Sequence, residues 1–266
     1  MSERGNELRQ CFMAKNVPWA PKRKRVLIGG DLSQAEYRML AHEANCKPLL
    51  KAFAAGHDFH ASTAADIFGG KWEQYTNKKD KDRANKRQRM KTVNFMHLYG
   101  AGGGAIAAAC GIPEKEGFRI LSEYADAYPE IETWKAKVRL FAHKNGYSET
   151  LFGGRVHVPH IKFANQRGLV KMAERQAING VIQGGCADYV RIAMADCTAV
   201  CDEYEDAWLL LQVHDELVFE CYEDDVAELA PRLRTVITTC TNDIIKWRVK
   251  FESDVQVGNT WAEIKG

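Results

Sequence analysis

Two apolar runs of strand length, far apart in the chain, both end in carboxylates. The first is Val26-Leu-Ile-Gly-Gly-Asp31; the second is Leu209-Leu-Leu-Gln-Val, followed by His214-Asp215-Glu216 and a further apolar run, Leu217-Val-Phe. An acidic triplet between two short apolar runs reads as a hairpin with charge at its tip. If these strands lie side by side, Asp31 and Asp215 meet at one end of a sheet, with Glu216 beside them. Taken singly, an aspartate ahead of a helix is ordinary, because the helix dipole favours it. Taken together, the pair suits two hard cations about 3.5–4 Å apart, the arrangement that supports phosphoryl transfer. Mg²⁺ is content with one or two carboxylates and fills its shell with water and phosphate oxygen. Two Mg²⁺ ions on Asp31 and Asp215, with Glu216 as an accessory ligand, are therefore expected.

The middle of the chain is helical in pattern. Residues 81–99 contain no proline or glycine and read as one long helix, stopped at Gly100 and at Gly102 to Gly104. Arg87, Lys91, Phe95 and Tyr99 recur every four residues along it, so they form one slowly turning stripe. Two cations at one end can grip phosphates, Arg87 bidentately, and two flat rings at the other can face a base or sugar. The competing reading is an amphipathic helix with a salt-bridged start and a buried aromatic end. Arg175, Asn179 and Gln183 form a second stripe of hydrogen-bond donors at the same spacing, suited to minor-groove base edges or simply to solvent.

Elsewhere, Ser33-Gln-Ala-Glu36 reads as a capping box that starts a helix running to about Asn45. Helices are expected over 48–67 with a break near Gly56-His-Asp58, and over 114–128, 130–144, 168–203 and 224–245. A loop is expected over 69–77, a small hairpin over 150–161, and a final strand over 250–257. Strands at both ends around a helical middle make an α+β plan.

Composition narrows the class. At 45% hydrophobic and 27% charged residues the chain reads as an ordinary soluble protein. The net charge of +2 says little about partners, but two basic runs, Lys22-Arg-Lys-Arg25 and Lys78 to Lys91, are local phosphate attractors or solvated faces. The eight cysteines contain no C-x-x-C pair. With no secretory leader or long apolar run, they read as reduced structural thiols of an intracellular, cytoplasmic protein without a membrane partner.

The stretches Asp31-Leu-Ser-Gln-Ala-Glu36-Tyr-Arg-Met-Leu-Ala-His42, Arg87 through Gly100, and Leu211-Gln-Val-His-Asp-Glu-Leu-Val218 resemble motifs A, B and C of the family A DNA polymerases, the bacterial DNA polymerase I type. Asp58-Phe-His60, Glu149-Thr-Leu-Phe-Gly153, Gln183-Gly-Gly-Cys-Ala-Asp188 and Gly258-Asn-Thr-Trp261 are similar to further family segments. The resemblance implies a palm with an antiparallel sheet plus a mostly helical fingers subdomain: palm over residues 1–48 and 149–266, fingers over 49–148. It implies Asp31 and Asp215 as metal carboxylates with the Leu32 carbonyl as a further ligand. It also implies His60, Arg87 and Lys91 on the triphosphate, Lys91 as proton donor to the leaving pyrophosphate, and Phe95 on the incoming sugar and base. Tyr99 would guard the template-base position and Gln34 would support the nucleotide. Glu36 would exclude a ribose 2′-hydroxyl, so that dNTPs are the substrate. His214 would lie near the primer terminus, with Arg175, Asn179 and Gln183 near the primer–template end.

The family's thumb and exonuclease-like domain precede motif A and have no counterpart here, which implies a fragment or a split polymerase completed by a separate N-terminal chain. Arg89, the 22–25 basic run, Met96 and His97 depart from the family pattern, the basic ones as possible extra DNA contacts. The resulting expectation is template-directed nucleotidyl transfer onto primer–template DNA. The rivals are a non-catalytic DNA-binding or assembly subunit and a metal-dependent nuclease.

Overall fold

The computed structural model describes residues 3–15, 23–77, 79–163 and 165–265. The chain divides into two compact units, Met1–Ala35 with Cys186–Gly266, and Glu36–Gly185. These boundaries differ from the expected divisions after residues 48 and 148. Residues 36–48 and 149–185 belong with the helical unit.

The first unit is built on a four-stranded antiparallel sheet. Numbered in chain order, its strands are β1 (Arg25–Leu32), β4 (Trp208–Val213), β5 (Glu216–Tyr222) and β6 (Ser253–Gly258), arranged β4-β5-β1-β6. β1 is therefore central. Its residues are buried throughout except Asp31, at the exposed end, as expected for an apolar run covered on both faces. Leu27, Val218, Ala14 and Ile264 form the core on one face, with Trp261 against it. Helix α11 (Val226–Thr239) packs on β1 and β6, and the Tyr189 hydroxyl donates to the Ile237 carbonyl at 2.9 Å. Fully burying side chains such as Phe219 and Ile28 contributes about 1.5–3 kcal/mol each. The short helix α1 (Glu3–Gln10) completes this unit.

The expected hairpin with an acidic tip forms as read: β4 and β5 are joined by His214-Asp215, with Val213 paired to Glu216. Other boundaries move. α11 stops at Thr239 rather than 245, where the run Thr238-Thr-Cys-Thr-Asn-Asp243 carries poor helix formers. Strand β6 starts at Ser253, three residues later than expected, because only from there does it ladder against β1.

The second unit contains α2 (Ala35–Glu43), α3 (Lys47–Ala54), α4 (Phe59–Phe68), α5 (Glu73–Thr76), α6 (Lys81–Leu98), α7 (Gly103–Cys110), α8 (Glu114–Ala127) and α9 (Pro129–Asn145). The small hairpin of β2 (Tyr147–Glu149) and β3 (Arg155–His157) follows, then α10 (Arg167–Cys201), one continuous helix whose later turns belong to the first unit. The 81–99 reading holds almost to the residue. The loop expected over 69–77 contains α5. The hairpin pairs three residues earlier than 150, and Pro159 opens a single 3₁₀ turn where its second strand was expected.

Helix α7 was hidden by its glycines. Gly102 to Gly104 read as a stop, yet Ile106-Ala-Ala-Ala supplies a good helical run just beyond them. α7 lies so close to α8 that a Cβ on Gly117 would sit 2.4 Å from the Gly103 carbonyl oxygen. Gly117→Ala is thus expected to destabilise the protein by about 1–3 kcal/mol in chemical denaturation, opposite in sign to the gain of about 1 kcal/mol that helix propensity alone gives.

Candidate nucleotidyl-transfer site

In the first unit, sheet register brings the acidic residues together. Asp31 on β1 is opposite Glu216 on β5 and opposite Asp254 on β6. Directly opposed residues of antiparallel strands share a face with Cβ atoms about 4.5–5.5 Å apart, so Glu216, Asp31 and Asp254 form a row. Asp215 adjoins it, its carbonyl accepting the Leu32 N–H at 3.2 Å. The sequence alone did not single out Asp254, because nothing but the β1–β6 register places it there.

The ends of this row differ in exposure. The Asp31 side chain is 44% exposed and that of Glu216 only 2%. Glu216 accepts from Trp261 Nε1 at 3.0 Å on one oxygen and from Lys265 Nζ at 2.9 Å on the other. Lys265 Nζ also reaches Asp31 Oδ2 at 3.1 Å. Burial lowers the Lys265 pKa, but Glu216 and Asp31 more than offset it, so the ammonium is held above its ordinary value. Glu216, expected as an accessory ligand, thus has both oxygens engaged inside the protein.

Among the described residues no three His, Cys, Asp or Glu side chains converge tightly enough to hold an ion as they stand. The donor set nonetheless fits hard divalent cations. It is all oxygen, it offers the one or two carboxylates that Mg²⁺ requires, and a cation already stands against two of its carboxylates.

His214 occupies the left-handed region, φ +57°, at the hairpin tip, and Gln34 does so at φ +53° just after β1. The Gln34 conformation separates Ser33 from the helix, which starts at Ala35. A turn at residues 33–34 thus precedes the helix. Gln34 Oε1 is buried with no hydrogen-bond partner. Such strain persists where surrounding structure enforces it, often at functional positions.

In the second unit, Glu36 takes a different partner. The Tyr99 hydroxyl donates to Glu36 Oε2 at 2.7 Å and accepts from Gln183 Nε2 at 3.1 Å. Residues from all three expected functional helices thereby form one chain of hydrogen bonds. Gly100 ends α6 with φ +76°: its N–H bonds the His97 carbonyl and the Ala101 N–H the Met96 carbonyl, a Schellman closure. The Arg175 side chain lies against Gly100, where a Cβ would come within 2.9 Å of Arg175 Cγ. Asn179 Oδ1 is buried without a partner.

Phe95 stacks edge-on to Tyr37 at 5.2 Å and approaches His60 and Tyr99 at 5.9 and 6.5 Å between ring centroids. His60 is buried, its Nδ1 3.0 Å from Asn94 Nδ2. Burial first, then Arg87 and Lys91, hold its pKa down at about 4 despite Asp58, so it is neutral at pH 7. The expected phosphate contact is thus an uncharged, enclosed ring in this structure. Arg87 forms a two-point ion pair with Asp58, Nε to Oδ1 at 3.1 Å. Burial pushes the Asp58 carboxyl up, but the hydrogen bonds from Arg87 and the Ala61 N–H outweigh it and leave the pKa lowered. Lys91 is exposed, with no carboxylate paired to it among the described residues.

The departures at His97 and the basic residues acquire explanations. His97 is buried on α6 against Tyr124, with Nε2 2.8 Å from Glu132 Oε1. Lys135 Nζ donates to the His97 carbonyl at 2.8 Å and to Glu132 at 3.1 Å. Burial lowers Lys135 to about 8 against the pull of Glu132, while His97, and further Lys135, hold Glu132 at about 2. The described basic residues of the run are paired with acids: Arg23 with Glu205, Asp224 and Asp225, Lys24 with Glu223, and Arg25 with Asp206 and Glu220. Lys22 and Lys78 lie outside the described residues. Arg89 likewise lies 3.6 Å from Glu116. None of the eight cysteines is in a disulfide, and burial pushes thiols such as Cys46 and Cys221 up to about 12, which fits structural roles. No described helix is long and apolar enough to cross a membrane.

An α+β fold with a carboxylate row on a small antiparallel sheet, and a helical unit carrying the Arg87–Tyr99 stripe, is the fold of a polymerase domain. The family model for DNA polymerase family A matches residues 1–263, and the chain belongs to that family. DNA polymerase I of Rhizobium leguminosarum is 33% identical over 262 residues, covering 97% of this chain and 24% of that protein. The Geobacillus stearothermophilus DNA polymerase I is 33% identical over 264 residues, covering 99% and 28%. The chain thus spans about a quarter of the length of these relatives. The solved POL domain of Pol1 from M. smegmatis, in complex with DNA primer-template and dNTP, superposes with a TM-score of 0.87 at 28% identity, covering all of this chain and 44% of that one.

Two outcomes follow from this geometry. Tyr99→Phe removes both hydroxyl bonds and is expected to cost about 1–3 kcal/mol in equilibrium unfolding, whereas Lys91→Ala changes stability by less than about 0.5 kcal/mol. The Glu132 carboxyl titrates below its unfolded value, so its stabilising contribution is complete above about pH 4.5 and fades as pH falls towards 2. Unfolding profiles of Glu132→Gln should therefore be flatter than those of the native chain across that interval.

Proposed function

We propose that this chain carries out template-directed DNA synthesis, transferring a nucleotide from a dNTP to a primer 3′-hydroxyl. The observation that supports it most is the convergence of Asp31 and Asp215 at one end of the sheet, on a fold shared with a polymerase domain solved with primer-template and dNTP.

Asp31 and Asp215 would hold two Mg²⁺ ions with the Leu32 carbonyl. When bound, these ions make the primer hydroxyl more acidic and neutralise triphosphate charge. Residues 1–48 and 149–266 would act as palm, and 49–148 as fingers. Arg87 exchanges its bidentate hold on Asp58 for the triphosphate, a like-for-like swap of oxyanions that preserves its fork geometry. Lys91, exposed and with no carboxylate partner among the described residues, binds the same phosphates and gives a proton to the leaving pyrophosphate. Phe95 packs on the incoming sugar and base. His60, neutral and enclosed, contacts phosphate only as a hydrogen-bond donor. Glu36, fixed by Tyr99, stands where a 2′-hydroxyl would fall, so that ribonucleotides are rejected. Gln34 supports the nucleotide and Tyr99 guards the template position. Arg175, Asn179, Gln183 and His214 contact the primer–template end. The parts of the relatives beyond the match, supplied by a longer polypeptide or a second chain, add grip on the duplex.

Primer extension with Mg²⁺, a labelled primer-template and dNTPs tests this. Templated addition is expected, weak and strongly salt-dependent. Asp215→Ala should lower it by about a thousand-fold or more, and Glu36→Ala should raise ribonucleotide incorporation relative to deoxynucleotide. DNA binding without any addition would instead support a non-catalytic subunit, and primer shortening a nuclease.

A further inference from the structure

We propose that Lys265 is a built-in counter-cation of the carboxylate row, holding Asp31 when no divalent metal is bound and releasing it when one arrives. Lys265 would thereby set how tightly metal binds. The inference rests on the reading above that Asp31 is a metal ligand.

Three observations carry it. Lys265 Nζ touches both Asp31 and Glu216, at 3.1 and 2.9 Å. These two carboxylates are unequal: that of Glu216 is almost fully buried, that of Asp31 nearly half exposed. Glu216 also has its remaining oxygen engaged by Trp261. A buried carboxylate stripped of its cation is strongly unfavourable, so Lys265 is anchored at Glu216. Its contact with the more exposed Asp31 is the weaker one, because water screens it. A divalent ion arriving at Asp31 meets a positive charge already on the carboxylate it needs. Binding then requires the ammonium to withdraw towards Glu216, and that displacement opposes metal affinity.

The lysine therefore reconciles two demands on one row of acids. Without metal, Glu216, Asp31 and Asp254 would repel one another across the sheet; with Lys265 in place, the strand register is maintained. The cost is a weaker metal site. A purely structural tether would hold the C-terminal segment down without altering metal affinity, and this difference is measurable.

The test is Mn²⁺ binding to the intact chain, followed by loss of the free-ion EPR signal without DNA or nucleotide. Lys265→Met is expected to tighten the Asp31-dependent site by roughly five-fold or more, since removing one charge at contact distance from a carboxylate ligand alters the attraction of a dication by at least that amount. Lys265→Gln keeps N–H donors for both carboxylates while losing the charge, and should behave like Lys265→Met. It decides the matter if the methionine variant fails the circular-dichroism check for folding. Lys265→Arg should stay within about two-fold of the native chain. Asp31→Asn separates the two levels of the account. If it removes the Mn²⁺ site while the charge-removing variants bind no more than about two-fold tighter, Lys265 is only a tether and the proposal is overturned. Tightening of two- to five-fold also contradicts it, as smaller than a contact charge requires. If Asp31→Asn leaves Mn²⁺ binding unchanged, both the proposal and the metal-ligand reading fall.

Discussion

The antiparallel pairing of β1 with β5 and β6 is the constraint on which the acidic site depends. Strand pairing has a period of two, so a slip of one residue would turn Asp31 to the opposite face from its neighbours. The register is held from both sides. Leu27 and Val218 face the core with Ile264, and the opposite face of β1 is covered by α11. A hydrophobic core therefore fixes where three acids stand, and the acids themselves oppose that arrangement. Trp261 and Lys265, from the same C-terminal segment that supplies Ile264, offset the repulsion. Packing and electrostatics thus come from one short stretch of chain.

The helical unit solves a related problem by different means. Its Arg87–Tyr99 stripe is tied down by half-buried polar partners, with Glu36 and Tyr99 bonded in series to the exposed Gln183, and Arg87 resting on Asp58. Behind α6, the His97, Glu132 and Lys135 group holds the helix from its buried side. Such networks are stable only when nearly every member is satisfied. Lys91 stands apart, exposed on the same helix.

Much of this was legible in the sequence. The end of α6 could be read because Gly100 allows the left-handed closure that follows Tyr99. The tip of the β4–β5 hairpin could be read because His-Asp-Glu interrupts two apolar runs. Residues set by tertiary register were not legible. Asp254 and Lys265 carry no local signal, and only pairing of β6 with β1 and the return of the C-terminal segment bring them to Asp31. Half-buried polar partners were hidden for the same reason, since Asp58 reads as part of a helix break and only the fold sets Arg87 upon it. The acidic partners of the basic residues at 23–25 were hidden in the same way. Local charge density suggested a polyanion, whereas the fold brings acidic residues from 205–225 onto them. The boundaries of the acidic row follow the same logic, with Glu216 resembling a ligand in sequence but spending both oxygens inside the fold.

The proposed site depends on Asp31 and Asp215 sharing a divalent ion. Anomalous diffraction from crystals grown with Mn²⁺, primer-template DNA and a non-reactive dNTP analogue measures this directly. The prediction is a peak at Mg²⁺-like bond lengths, about 2.0–2.2 Å, from carboxylate oxygens of both residues. Ordered nucleotide with an anomalous peak bound elsewhere, or with none at either aspartate, would contradict it.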